Sequence, residues 1–357
     1  MDIKSYFADK LSKLLFLEIS KENIKKIFNV ELSEEIYIPV KSDSIVNQVK
    51  AEESVDQIPL SFFIEGIIYV LGADKSFRFN EEYKNILKHI NNSDKFIKGR
   101  IAEKVKNKNY EDAYILLKGL LEIDSSIEIL DKLILIVDEL RNKDKMYKEE
   151  ELEIIEKAKD NENYATPYFY EAIMRKEERD YEKALFCINN YISRGGEETI
   201  EVTELKESLK LVISYEEGKK LVYNHPKNAL KVLLPLLSEF GNDAALYYYI
   251  AVCYRILENY EKAIYYLNES MSIDNNIVEV VNELGINYAS IGDYKNAIAY
   301  LRKAFEVTKS VEICTNLIMC YLNDGDIENA RIHLDIAKKL DSKDEIVVQL
   351  ENILGNI

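Results

Sequence analysis

Three histidines, His89, His225 and His333, and four cysteines, Cys187, Cys253, Cys314 and Cys320, are the residues of this chain best suited to hold a metal or attack a substrate. Their spacing supports neither chemistry. No HExxH pair sets two histidines on one helical face for zinc hydrolysis, and no CxxC pair offers two thiolates to one ion or one disulfide. Carboxylates are abundant, with runs at Glu52-Glu53, Glu149 to Glu151, Glu177-Glu178 and Glu216-Glu217. A glycosidase-type pair needs two of them at a fixed separation around a pocket, whereas 64 acidic residues produce adjacent pairs on solvated helix faces by number alone. Asn323-Asp324-Gly325-Asp326 has calcium-ligand letters but lacks the full loop and its closing Glu. Glycine-rich phosphate loops and the GxSxG elbow are absent. The expectation is a chain without catalytic residues, metal or cofactor.

Where these residues sit depends on the elements that carry them, and those elements repeat. GDYKNAIAYLRKA (Gly292 to Ala304) has near-copies in ENYEKAIYYLNES (Glu258 to Ser270) and GDIENARIHLDIA (Gly325 to Ala337), starting 34 and then 33 residues apart. A period of this size marks a stacked helical array, in which each unit completes its core only against its neighbours. The first helix of the best unit holds Tyr247, Ile250, Ala251 and Tyr254, and its second holds Tyr260, Ala263, Leu267 and Ser270. The next has Val281, Leu284, Gly285 and Tyr288, then Tyr294, Ala297, Leu301 and Ala304; the third has Cys314, Leu317, Ile318 and Tyr321, then Ile327, Ala330, Leu334 and Ala337. This is the spacing of one helical face. Ala251 and Gly285 mark close helix approach, Ala263, Ala297 and Ala330 the reciprocal positions, and the three tyrosines fill the seam. Cys253 and Cys320 share one repeat position with Asn287 between them, so the recurrence is that of the repeat. Two units of ordinary helix spacing keep them about 20 Å apart.

These patterns resemble the tetratricopeptide repeat (TPR): Tyr247-x2-Ile250-Ala251-x2-Tyr254 with Ala263-x3-Leu267, Leu284-Gly285-x2-Tyr288 with Ala297-x3-Leu301, and Leu317-Ile318-x2-Tyr321 with Ala330-x3-Leu334. The usual early large residue is here Tyr247, Val281 and Cys314, and the late proline is missing. The resemblance implies an all-α, right-handed superhelical array of antiparallel hairpins. Weaker copies occur upstream in NKNYEDAYILLKGLL (from Asn107), RDYEKALFCINNY (from Arg179) and HPKNALKVLLPLL (from His225), with Ile127 to Asp160 as a further helix pair. Thr166-Pro167 is expected to cap and open a helix, Pro235 to kink one, and Arg194 to Glu198 to turn. The expected divisions are 1–97, an atypical helical cap with an extended segment; 98–243, degenerate hairpins; 244–342, three well-matched repeats; and 343–357, a closing helix. Within the cap, Lys4 to Phe16 and Lys21 to Phe28 read as helices, Ile36 to Val40 as extended, Lys41 to Gln57 as linker or overlying loop, and Phe62 to Tyr69 with Asn80 to Ile90 as an atypical hairpin.

The formal charge is −17, and the first hundred residues, with 16 acidic against 15 basic, carry almost none of it. An acidic array lacks the basic face that nucleic acid or an anionic membrane requires. The N-terminal stretch has early acids and no small-residue cleavage site, and Ile58 to Gly72 contains Glu65 and is too short for a bilayer span, so neither signal peptide nor membrane insertion is expected. Cytoplasmic location is the expectation.

Family resemblance further implies a groove along the first helices that takes a protein or peptide. Its inner-face positions here are Ala245, Tyr248, Val252, Arg255 and Ile256; Glu279, Asn282, Ile286, Ala289 and Ser290; and Glu312, Thr315, Met319, Leu322 and Asn323. The strip is amphipathic and lacks the several basic residues of a carboxylate clamp, which favours a mostly apolar segment. Tyr248 and Arg255 are the candidate hot spots, with Val252, Asn282, Ile286, Met319 and Asn323 around them. A non-catalytic adaptor is the leading reading. The alternatives are a peptide-responsive regulator with an N-terminal output surface, and an enzyme with a site between cap and array, which a buried titratable cluster between Phe62 and Lys104 would favour.

Overall fold

A turn residue with positive φ followed by Asn or Asp recurs before the second helix of five hairpins and gives them a common geometry. The computed structural model describes residues 2–32, 34–41 and 58–355. At Lys108, Arg179, Glu258, Gly292 and Gly325 the backbone takes positive φ between 58° and 85°. The next residue, Asn109, Asp180, Asn259, Asp293 or Asp326, accepts a backbone N–H three residues on at 3.0–3.3 Å. Each N-cap thus satisfies a donor that the helix start leaves free. Five residues after each left-handed position stands Ala113, Ala184, Ala263, Ala297 or Ala330, all with no exposed surface. The weak copies from Asn107 and Arg179 therefore build the same turn as the strong ones, whereas the copy from His225 starts its helix without a side-chain cap.

The chain divides into two compact units, Met1–Lys206 and Glu207–Ile357. In the first, Asp2 caps Ile3–Ser12 (α1) by accepting from the Ser5 amide at 2.7 Å. The helix expected to reach Phe16 stops there, because Leu14–Ile19 (β1) pairs antiparallel with Ile36–Lys41 (β2), Leu14 opposite Lys41 and Phe16 opposite Pro39. Each strand of a two-stranded sheet has an outer edge, which accommodates Pro39 without a lost ladder bond. Between them lies Lys21–Phe28 (α2), capped by Ser20. Of the linker or loop expected from Lys41 to Gln57, Lys41 is the last residue of β2 and 42–57 lie outside the described residues.

Leu60–Ala73 (α3) and Asn80–His89 (α4) exist as helices, but α3 does not pack chiefly on α4. Its main partners are β2 and Tyr110–Leu121 (α6), which follows Ser93–Lys106 (α5). Glycines decide this. A Cβ on Gly72 would lie 1.8 Å from the Ile115 carbonyl oxygen, one on Gly119 2.0 Å from that of Ile68, and one on Gly66 2.0 Å from that of Pro39. Backbone meets backbone at all three, so α3 is buried from Phe63 to Gly72. One core cluster draws on residues from Phe7 to Tyr164, Ile97 among them.

Ile127–Lys143 (α7) and Lys148–Ala158 (α8) follow, then the hairpin Thr166–Glu177 (α9) and Tyr181–Ser193 (α10). The cap position of α9 is Ala165, with no side-chain bond, so Thr166 opens the helix rather than capping it, and Pro167 occupies the first turn. Arg141 ties α7, α8 and α9 together: it bonds Glu151, and also Glu177 and Asp138, each at 2.6 Å. Burial, with Asp138 and Glu177 nearby, outweighs Arg141 and pushes the Glu151 carboxyl up to about 7. Three acids sharing one guanidinium leave excess negative charge in a low-dielectric site.

The division between units falls within Ile200–Leu221 (α11), one continuous helix. In the second unit Pro226–Leu233 (α12) ends before Pro235, and Leu234–Ser238 winds on as a tighter 3-10 turn. Proline thus terminates this α-helix instead of kinking it. Three hairpins follow: Ala244–Ile256 (α13) with Tyr260–Ile273 (α14), Val278–Ser290 (α15) with Tyr294–Thr308 (α16), and Val311–Asp324 (α17) with Ile327–Leu340 (α18). Glu345–Gly355 (α19) closes the stack with Val347, Leu350 and Leu354 buried. Each hairpin renews one ring pair: Tyr254 on Tyr266 with centroids 5.4 Å apart, Tyr288 on Tyr300 at 5.5 Å, and Tyr321 on His333 at 5.1 Å. His333 is therefore the third copy of a packing position. Ser270 Oγ, also buried, donates to the Ala244 carbonyl at 2.7 Å and joins the two ends of its hairpin.

Gly119→Ala is expected to lower the unfolding free energy by about 1–3 kcal/mol in urea denaturation, because the opposing atom is backbone. Gly285→Ala should cost less, since its new methyl would meet the Leu301 side chain, Cγ at 2.5 Å. Glu151 binds a proton in the folded state at higher pH than in the unfolded chain. Its contribution to stability therefore falls as pH rises from the ordinary carboxylate range toward about 7. Denaturation midpoints across that window should slope less in Glu151→Gln than in the parent.

Candidate protein-binding groove

The first helices of the three hairpins, α13, α15 and α17, contact one another in succession and form a single layer. Small residues set this spacing: Ala251 and Gly285 let each first helix close on its own second helix, which leaves the opposite face of the layer uncovered by its hairpin.

The anticipated residues separate into three situations on that layer. Val252, Ile286 and Met319 share one repeat position, yet only the last two line the open face. Val252 is 1% exposed and packs in a core with Val222, Leu246 and Ile250, to which α11 and α12 add Leu211, Tyr215, Ala229 and Leu233. It belongs to the interior and not to the groove surface. Ile286, Met319 and Asn323 come together around a cavity of about 270 Å³, with Ala289, Tyr294 and Asn316 beside them. Met319 is 48% exposed, and the exposed Asn323 donates from Nδ2 to the Met319 carbonyl at 2.7 Å.

Arg255 is not a free guanidinium. Its Nε donates to Glu283 Oε2 at 2.6 Å and bridges α13 to α15. Burial raises the Glu283 carboxyl above its usual range, with Arg255 opposing. Glu283 also lies close enough to Tyr248 to raise that phenol, after burial itself. Tyr248 is half-buried, edge-on to Tyr249 with centroids 5.4 Å apart. Asn282, at the Tyr248 position one unit on, has its Oδ1 buried without a hydrogen-bond partner among the described residues, as does the fully buried Asn287. Sequence reasoning missed Glu283 and Asn316, which lie between the family's inner-face positions. The signal available for Glu283 was an acid one helix away from the lone Arg of the strip.

The cluster named as favouring chemistry is present in the first unit. Glu65 is buried and Asp112 half-buried beside Tyr69: Glu65 meets Arg100 at 2.7 Å and Lys41 at 3.2 Å, and Asp112 meets Lys41 and Lys104, each at 3.4 Å, and the Tyr69 hydroxyl at 3.0 Å. Burial works to raise both carboxyls, but the cations outweigh it and hold them below their ordinary range. They stay ionised and internally neutralised, which suits holding α3, α5 and α6 together better than passing a proton. Among the described residues no group of three or more His, Cys, Asp or Glu is placed to hold a metal, and no helix is long and apolar enough to cross a membrane.

A tetratricopeptide repeat model matches residues 244–277 and 278–310, the hairpins α13–α14 and α15–α16. Residues 244–310 are two tetratricopeptide repeats. The third TPR hairpin, from Val311, has the same turn, cap and buried alanine. A TPR repeat-containing protein of Methanocaldococcus jannaschii is 26% identical over 49% of this chain, and the match spans 33% of that relative's length. Among solved structures, MamA is 15% identical, covering 50% of this chain and 92% of its own, with a TM-score of 0.37. YrrB, described as a TPR protein with an unusual peptide-binding site, is 18% identical over 55% and 96%, with a TM-score of 0.34.

Arg255→Ala strands the Glu283 carboxylate. A loss of about 1–2 kcal/mol is expected, discounted for the partial exposure of Arg255, and the further change Glu283→Gln should recover part of it in urea denaturation.

Proposed function

We propose that this protein is a non-catalytic scaffold that binds a protein or peptide segment along α13, α15 and α17. TPR arrays generally serve as protein-binding scaffolds, and their stacked first helices present a continuous surface. The observation that carries the reading is the cavity where Ile286, Met319 and Asn323 meet. An apolar side chain fits between Ile286 and Met319, while the exposed Asn323 amide is available to hydrogen-bond the main chain of the same segment. Tyr248 supplies the large ring at the other end of the layer. The ligand is thus a mostly apolar segment with free main-chain polar groups, and the acidic chain is a poor match for nucleic acid. Four buried free thiols suit a reducing compartment, and we place the protein in the cytoplasm.

The test is affinity capture from native lysate with the full-length chain, compared across Met319→Asp, Asn323→Ala and Tyr248→Ala. Met319 and Asn323 are exposed, so loss of a specific partner with unchanged circular dichroism supports the groove. Equal recovery by all three variants moves the binding surface elsewhere on the chain.

A further inference from the structure

The first unit holds a cavity of about 440 Å³ bordered by α1, the end of α3 with the turn at Asp74–Ser76, α6 and α8. Its inner wall carries a buried ion pair: Lys118 Nζ donates to Glu150, with side chains 10% and 15% exposed. Tyr114 donates its hydroxyl to the same carboxylate at 2.6 Å. The rings of Phe7 and Tyr114 flank the ammonium at 5.1 and 5.4 Å. Burial pulls the Lys118 amine below its ordinary range despite Glu150, while Lys118 and Tyr114 overcome burial to hold Glu150 below its own. At the mouth stands a second, exposed pair, Lys75 and Glu153, 3.7 Å apart. Phe7, Leu11 and Ala73 supply an apolar wall. A smaller space of about 70 Å³ borders the same four charged residues, so the Lys118–Glu150 pair partitions two voids instead of being packed on every side.

A pair of charges taken out of water needs further hydrogen bonds to offset its desolvation. An ammonium has three donors and a carboxylate about four acceptor sites. The contact between Lys118 and Glu150 uses one donor, and the cavity is where the remaining capacity can be used. A ligand of one sign would face attraction from one partner and repulsion from the other. A zwitterion meets both. Because the protein charges touch, the ligand charges must also be adjacent, as they are on one α-carbon; the termini of a peptide are too far apart. The volume lies in the range of small-molecule sites.

We propose that this cavity binds a free α-amino acid with an apolar side chain. Its carboxylate lies on Lys118, its ammonium on Glu150, and its side chain against Phe7 and Leu11. The site is separate from the groove and independent of that reading.

The test is isothermal titration calorimetry of the full-length chain with L-leucine, L-methionine and L-phenylalanine, and with leucinamide and N-acetylleucine, which each lack one charge. Saturable binding of at least one amino acid is expected. Each leucine analogue should bind about ten- to a hundredfold more weakly than leucine, because it leaves a charged group unmatched. Lys118→Met and Glu150→Gln should abolish binding. Lys75→Ala, at the exposed mouth, keeps the fold and should weaken it, which preserves the test if Lys118→Met does not fold. Absence of binding by all three amino acids at millimolar concentration overturns the proposal, as does leucinamide binding as tightly as leucine.

Discussion

The close approach of two helix backbones across a residue no larger than alanine is the constraint on which this structure depends. In the array it is renewed at Ala113, Ala184, Ala263, Ala297 and Ala330, none of which has exposed surface. In the first unit Gly72 and Gly119 carry it further, to direct backbone contact between α3 and α6. Where helices come this near, seam volume must be filled from the side, and tyrosine does so: 25 of them and no Trp. Tyrosine places a large ring in the seam and leaves its hydroxyl to a polar partner, as Tyr114 does with Glu150 and Tyr164 with Asp131.

Electrostatics follow from the same packing. A chain with net charge −17 that buries its helices must bury some carboxylates, and it places cations beside them. Arg141 serves Glu151, Glu177 and Asp138; Lys41 serves Glu65 and Asp112; Arg255 serves Glu283. Only Glu151 is driven up to about 7, because it has no exposure and shares its cation with two other acids. These groups hold neighbouring helices in register. Lys118 and Glu150 differ in facing open space on two sides.

The sequence by itself determined the repeat. Its period, the Asn or Asp caps, the alanine five residues beyond each turn and the ring positions are local or single-helix signals, and helices form from such signals. It also placed Ile286, Met319 and Asn323 on one surface, since a fixed repeat converts position in one unit into position in the next. Tertiary structure alone decided which equivalent positions stay open. Val252, Ile286 and Met319 read identically in the repeat, but apolar side chains from α11 and α12 close over the first, and no local pattern encodes a neighbour's volume. The end of α1 at Ser12 was likewise decided at long range, by the pairing of Leu14–Ile19 with Ile36–Lys41, as was the preference of α3 for α6 over α4. Which charges pair was decided the same way: Arg255 and Glu283, or Lys118 and Glu150, lie on different helices, and only their packing brings opposite charges into contact.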